Sequence, residues 1–136
     1  HNPYTIHVSV PGNYVSQFAT TPASQALYTA ARNALNAALS RTLTGEELAR
    51  VRFFSDTFAL TEGLVQLYNL KKANAPAATR QQALDATAAL WNNNLRLNFA
   101  TLYETGASSA GGMAFTGACT ATTSSNVVTA LCQLKP

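Results

Sequence analysis

At 136 residues, 47% of them hydrophobic, the chain has the length of one ordinary domain and enough apolar side chains for a real core. Charged residues make up only 11%, against about 25% in a typical domain, and the net charge is +3. That balance disfavours a nucleic-acid binder built on a dense basic stripe, and no apolar run approaches the ~20 residues of a membrane span.

The first residue is His1 and not methionine, which reads as the product of removing a signal peptide, a pro-segment or a tag. The segment Tyr4–Val10 alternates, with Tyr4, Ile6, Val8 and Val10 on one side and Thr5, His7 and Ser9 on the other. This period of two predicts a half-buried strand. Pro11-Gly12 suits the centre of a type II turn, so Tyr14–Thr20 is expected to return as a second short strand or to run out as an arm. A hairpin alone is marginal in water and must lean on another surface.

Thr21-Pro22 is a helix start, with a hydroxyl N-cap and proline at the first helical position. Leu27, Tyr28, Ala31, Leu35, Ala38 and Leu39 then make one apolar face to about Ser40. A second start follows at Thr44-Gly45-Glu46-Glu47, where Thr44 and Glu47 have capping-box spacing. The helix behind it carries Leu48, Val51, Phe53, Phe54, Phe58, Leu60, Leu64, Val65, Leu67 and Tyr68, too many for one stripe. It is therefore predicted to be central and touched on more than one side, with Lys71 and Lys72 closing it against the negative end of its dipole.

Asn74-Ala75-Pro76 breaks the pattern. A third helix is expected beyond it, with Leu84, Ala88, Trp91, Leu95, Phe99 and Leu102 at spacings of three and four, ending near Thr105-Gly106. Ala107–Gly117 is small-residue chain; Met113, Phe115 and Cys119 alternate with smaller neighbours, which predicts a short strand. Ser124 or Ser125 would cap a last helical turn or two with Val127, Val128 and Leu131. Cys119 and Cys132 lie close together in this tail and are expected to form a disulfide, as such pairs do in exported chains.

Among side chains that could carry chemistry, the histidines come first. A free amine and imidazole at His1, joined by His7, form a candidate copper site. Along an extended strand the two lie about 20 Å apart, so they meet only if Pro3 folds the chain back or two chains come together. The plain alternative makes His1 a cleavage point and His7 an exposed strand residue. Catalysis finds little footing, because both histidines sit in the arm and both cysteines are expected to be oxidised.

The acids mostly have helical duties. Glu46 and Glu47 sit at a helix start, Glu46–Arg50 and Arg52–Asp56 are spaced as i,i+4 pairs, and Asp85 falls on a polar face. Glu62 interrupts an apolar stretch beside Gly63 and needs an arginine or a contact to explain it; Glu104 lies in a last turn, where the dipole disfavours it. Asn92-Asn93-Asn94, poor helix formers inside a helix, read as a solvated face, with hydrogen bonding to a partner or a carbohydrate as the functional alternative. Trp91, Phe99 and Tyr103 read as core.

The sequence thus predicts a mainly α single domain over residues 1–136. It has a strand or hairpin arm at 1–20, an antiparallel three-helix bundle at 21–105 and a disulfide-closed tail at 106–136. In its neutral polar surface, helical body, extended arm and small-residue tail, the chain resembles coat and pilus subunits. That resemblance implies a non-catalytic subunit that forms a homo-oligomer or polymer through its arm and helix faces. The expected setting is exported, extracellular or within a virion. A small exported binding protein, with copper at His1 and His7, is the alternative, and a nucleic-acid-coating capsid-type protein is the third reading. Neither a cofactor nor catalytic residues are expected.

Overall fold

The computed structural model describes residues 22–96, 114–119 and 126–136. Among them the chain is mainly helical, with helices α1 (Pro22–Leu39), α2 (Gly45–Lys72), α3 (Ala77–Leu90) and α4 (Asn126–Leu134), and contains no strand. A π-helical turn, Trp91–Leu95, continues α3. The expected arm at 1–20 and the far end of the third helix lie outside the described residues.

Each boundary has a local cause. The Thr44 hydroxyl accepts from the Glu47 N–H while the Glu47 carboxylate accepts from the Thr44 N–H, so the capping box read from the sequence is formed. At the other end of α2, the Asn74 N–H donates to the Lys71 carbonyl and the Ala75 N–H to the Leu70 carbonyl. With Asn74 at φ 50°, this is a Schellman closure, and asparagine is the side chain that best tolerates that left-handed position after glycine. Pro76 then opens α3.

Helix α2 is the axis of the molecule. Leu60, Leu64 and Leu67 point from it into a core completed by Leu84, Ala88, Trp91 and Leu95 of α3 and its π turn, Phe115, and Val127, Val128, Leu131 and Leu134 of α4. Helix α3 runs antiparallel to α2, with Thr87 against Gly63 and Asn94 bonded to Asp56. At 100° per residue, Ser55, Phe58 and Glu62 lie on the far side of α2 from Leu60, Leu64 and Leu67. Among the described elements that far side takes α1 alone, and α1 touches no other. Two opposed faces in use explain why the large residues of α2 overran one stripe.

Three expectations are corrected. The core is shared by α2, α3 and α4, whereas α1 stands outside it and contributes no buried residue among those described. Residues 114–119 are not a strand; the backbone bends at Gly117, whose φ is 86°. Leu27, placed on the apolar face of α1 by its spacing, is 69% exposed, since it sits about 100° round the helix from Tyr28 and misses α2.

Candidate functional site

The α1–α2 seam is built from an arginine. Arg32 projects from α1 and donates through Nε and Nη2 to Glu62 Oε1, with Nε at 3.0 Å. Its Nη1 donates to Ser55 Oγ at 2.9 Å and its Nη2 also reaches the Ser55 carbonyl at 3.4 Å. The guanidinium lies 5.2 Å from the centre of the Phe58 ring, and Tyr28 packs on the same ring at 5.5 Å. Ser55 is buried, yet its hydroxyl is satisfied. Glu62, the carboxylate that its apolar surroundings left unexplained, is the partner of this cation.

The helix periods order the cluster. Tyr28 and Arg32 are one turn apart on α1, and Ser55, Phe58 and Glu62 fall three and four residues apart on α2, so antiparallel packing brings the two rows together. Burial, helped by the negative charge of Glu62, raises the Tyr28 phenol above its ordinary pKa. Beside the cluster runs a groove of about 530 Å³, walled by Tyr28, Thr29, Glu62, Val65 and Leu70. It is an open trough between two helices, with neither a histidine nor a cysteine in its lining.

The second polar construction fastens the tail. Asn92 Nδ2 donates to the Phe115 carbonyl and Asn92 Oδ1 accepts from the Phe115 N–H, both at 2.8 Å. One side-chain amide thus does for Phe115 what a neighbouring strand would, and the Phe115 ring enters the core. The Cys119–Cys132 disulfide is formed, with Cα atoms 5.6 Å apart. Lys135 Nζ donates to the Gly117 carbonyl, Lys71 Nζ to the Gln133 carbonyl and Arg80 Nη2 to the Lys135 carbonyl. Three cations therefore hold the tail, two of them from the joint between α2 and α3.

Of the asparagine run, Asn92 and Asn94 bond within the molecule, to Phe115 and Asp56, while Asn93 and Asn94 are exposed. Asp56 thus takes Asn94 instead of the expected Arg52, whereas Glu46–Arg50 is paired at 3.5 Å. Asp85 accepts from Gln81 on the exposed side of α3. Trp91 is in the core, as its spacing predicted. His1, His7, Tyr4, Ile6, Val8 and Val10, together with Phe99, Tyr103 and Glu104, lie outside the described residues. Among the described residues no cluster of three potential metal ligands occurs, and no helix is long and apolar enough to cross a membrane.

No protein-family model, curated protein or solved structure matches the chain. Function must therefore be read from the chain's own geometry. The residues that sequence reasoning left unpaired are Arg32 and Glu62. The available signal was a carboxylate embedded among apolar neighbours, which has to find a cation or a hydrogen-bond donor.

Proposed function

We propose that this chain is a non-catalytic structural subunit that associates with copies of itself, in a filament, coat or surface layer. The observation that carries the reading is the unfinished α1–α2 layer. Leu27 is 69% and Phe54 60% exposed at its margins, on a surface with few charges to keep copies apart. The alternating sequence Tyr4, Ile6, Val8 and Val10, which has the pattern of a strand, offers a second adhesive element in this reading, because strand edges without a partner seek pairing. The disulfide supports an oxidising setting outside the cytoplasm.

Light scattering over a range of concentrations tests the reading. The intact chain should be larger than a monomer, and Phe54→Lys or Leu27→Lys should shift it towards monomer without lowering its unfolding temperature. Removing His1–Thr20 should weaken association further. A chain that stays monomeric at every concentration would overturn the proposal.

A further inference from the structure

We infer that α1 is exchanged between copies, the α1 of one molecule seating on the α2 of another. This rests on the self-association proposed above and adds a seam through which copies join. Four observations point to it. First, among the described residues α1 packs on α2 alone and gives no residue to the core, so its departure leaves the α2–α3–α4 packing intact. Second, what binds α1 is a set of directed contacts: Arg32 with Glu62 and Ser55, and Tyr28 with Phe58. A second copy offers the same groups on its own α2, so these contacts, broken in one molecule, are remade between two.

Third, the link Ser40–Thr44 is built as a hinge. Among the described residues, the Ser40 and Arg41 N–H groups and the Ser40 hydroxyl tie it back to α1, through the Asn36, Ala38 and Ala37 carbonyls, and Thr42 and Leu43 add no hydrogen bond to it. Helix α2 is capped by Thr44 and Glu47 with no help from α1, so the link can straighten without fraying α2. Fourth, α1 is joined to the start of α2 and is about 27 Å long at 1.5 Å per residue, so an α1 swung out beyond that end reaches a neighbour. Reciprocal exchange closes a two-fold dimer; exchange passed from copy to copy propagates a filament.

The Arg32–Glu62 pair supplies the test. Arg32→Glu and Glu62→Arg each place like charges at the seam, in one molecule or between two copies of the same variant. In a mixed complex with exchanged helices, the α1 of the Arg32→Glu variant seats on the α2 of the Glu62→Arg variant, so a carboxylate meets a guanidinium there. The other seam joins the unaltered Arg32 and Glu62, and both seams are repaired. Co-refolded variants of different tag mass, read by native mass spectrometry, should favour mixed over like-with-like complexes by about tenfold or more.

Statistical mixing while the unaltered chain associates would overturn exchange and leave self-association standing. An unaltered chain that is monomeric throughout would overturn both. The doubly reversed chain, Arg32→Glu with Glu62→Arg, controls for folding and should associate as the original does. Should the single variants fail to fold, a flexible Gly/Ser insertion between Arg41 and Thr42 gives an independent readout. A longer hinge lets α1 return to its own α2, so association should fall with helix content unchanged; unchanged association would overturn the exchange.

Discussion

Gly63 of α2 faces Thr87 of α3 with no room for a side chain: a Cβ on Gly63 would stand 2.5 Å from the Thr87 hydroxyl oxygen and 2.9 Å from its methyl carbon. Thr87 is buried and cannot swing aside freely, since its hydroxyl donates to the Ala83 carbonyl at 2.8 Å. The glycine interrupts the longest helix because it sets how closely the two helices approach. Gly63→Ala should cost roughly 1–3 kcal/mol by overpacking, offset in part by the ~0.5–1 kcal/mol that alanine gains in a helix. In a Thr87→Ala background the same substitution should cost clearly less, a coupling that urea unfolding of the four chains would measure.

Asn92 is expected to be worth more than an ordinary asparagine on a helix. Asn92→Ala leaves the N–H and carbonyl of Phe115 without their partners and should cost about 1–3 kcal/mol, with faster amide exchange at Phe115. Asn92→Asp should not rescue it at neutral pH, because a carboxylate can accept from the Phe115 N–H but faces the Phe115 carbonyl with no proton to donate. Denaturation of both variants beside the original chain would check this.

The disulfide closes a loop of sequence separation 13. By chain-entropy reasoning, Cys119→Ser with Cys132→Ser should lose about 3 kcal/mol. The loss should fall unevenly. Amide exchange should rise in α4, which the disulfide holds, while α1, which α4 does not touch, keeps its protection.

Acid should act at the start of α2. Hydrogen bonds from the Thr44 backbone and hydroxyl hold the Glu47 carboxyl below its ordinary pKa, helped by Arg50. A lowered folded value means that the unfolded chain binds this proton more readily. The stabilisation is therefore complete above the ordinary glutamate range and is lost as pH falls through the lowered folded value. Glu47→Gln should flatten the fall in stability over that acidic window, measured as unfolding temperature against pH.

Features that obey a local rule were legible in the sequence. The Thr44–Glu47 box, the helix opening at Pro22, the break at Asn74-Ala75-Pro76 and the pairing of Cys119 with Cys132 each depend on residues near in sequence, or on a simple count. The helical class followed from these together with the apolar spacing. What escaped depends on contacts across the fold. Residues 126–134 read as a turn or two at the end of a tail, because nothing local reveals that α2 and α3 leave a hollow for Val127, Val128 and Leu131. Phe115 looked like part of a strand because alternation cannot distinguish pairing with a strand from pairing with the amide of Asn92. Arg32 and Glu62 are 30 residues apart and meet only once two helices have packed.

The cations at the joint between α2 and α3 also impose an order of events on folding. Helix α4 has nine residues, too few to persist alone in water, and its Gln133 carbonyl and that of Lys135 just beyond it find Lys71 and Arg80 only after the preceding hairpin has brought those side chains together. Leu131→Ala should accordingly quicken unfolding far more than it slows refolding. A newly made chain would pass through an interval in which the wall of Leu60, Leu64 and Leu67 waits uncovered, and oxidation of the thiols then seals a structure already chosen instead of choosing it.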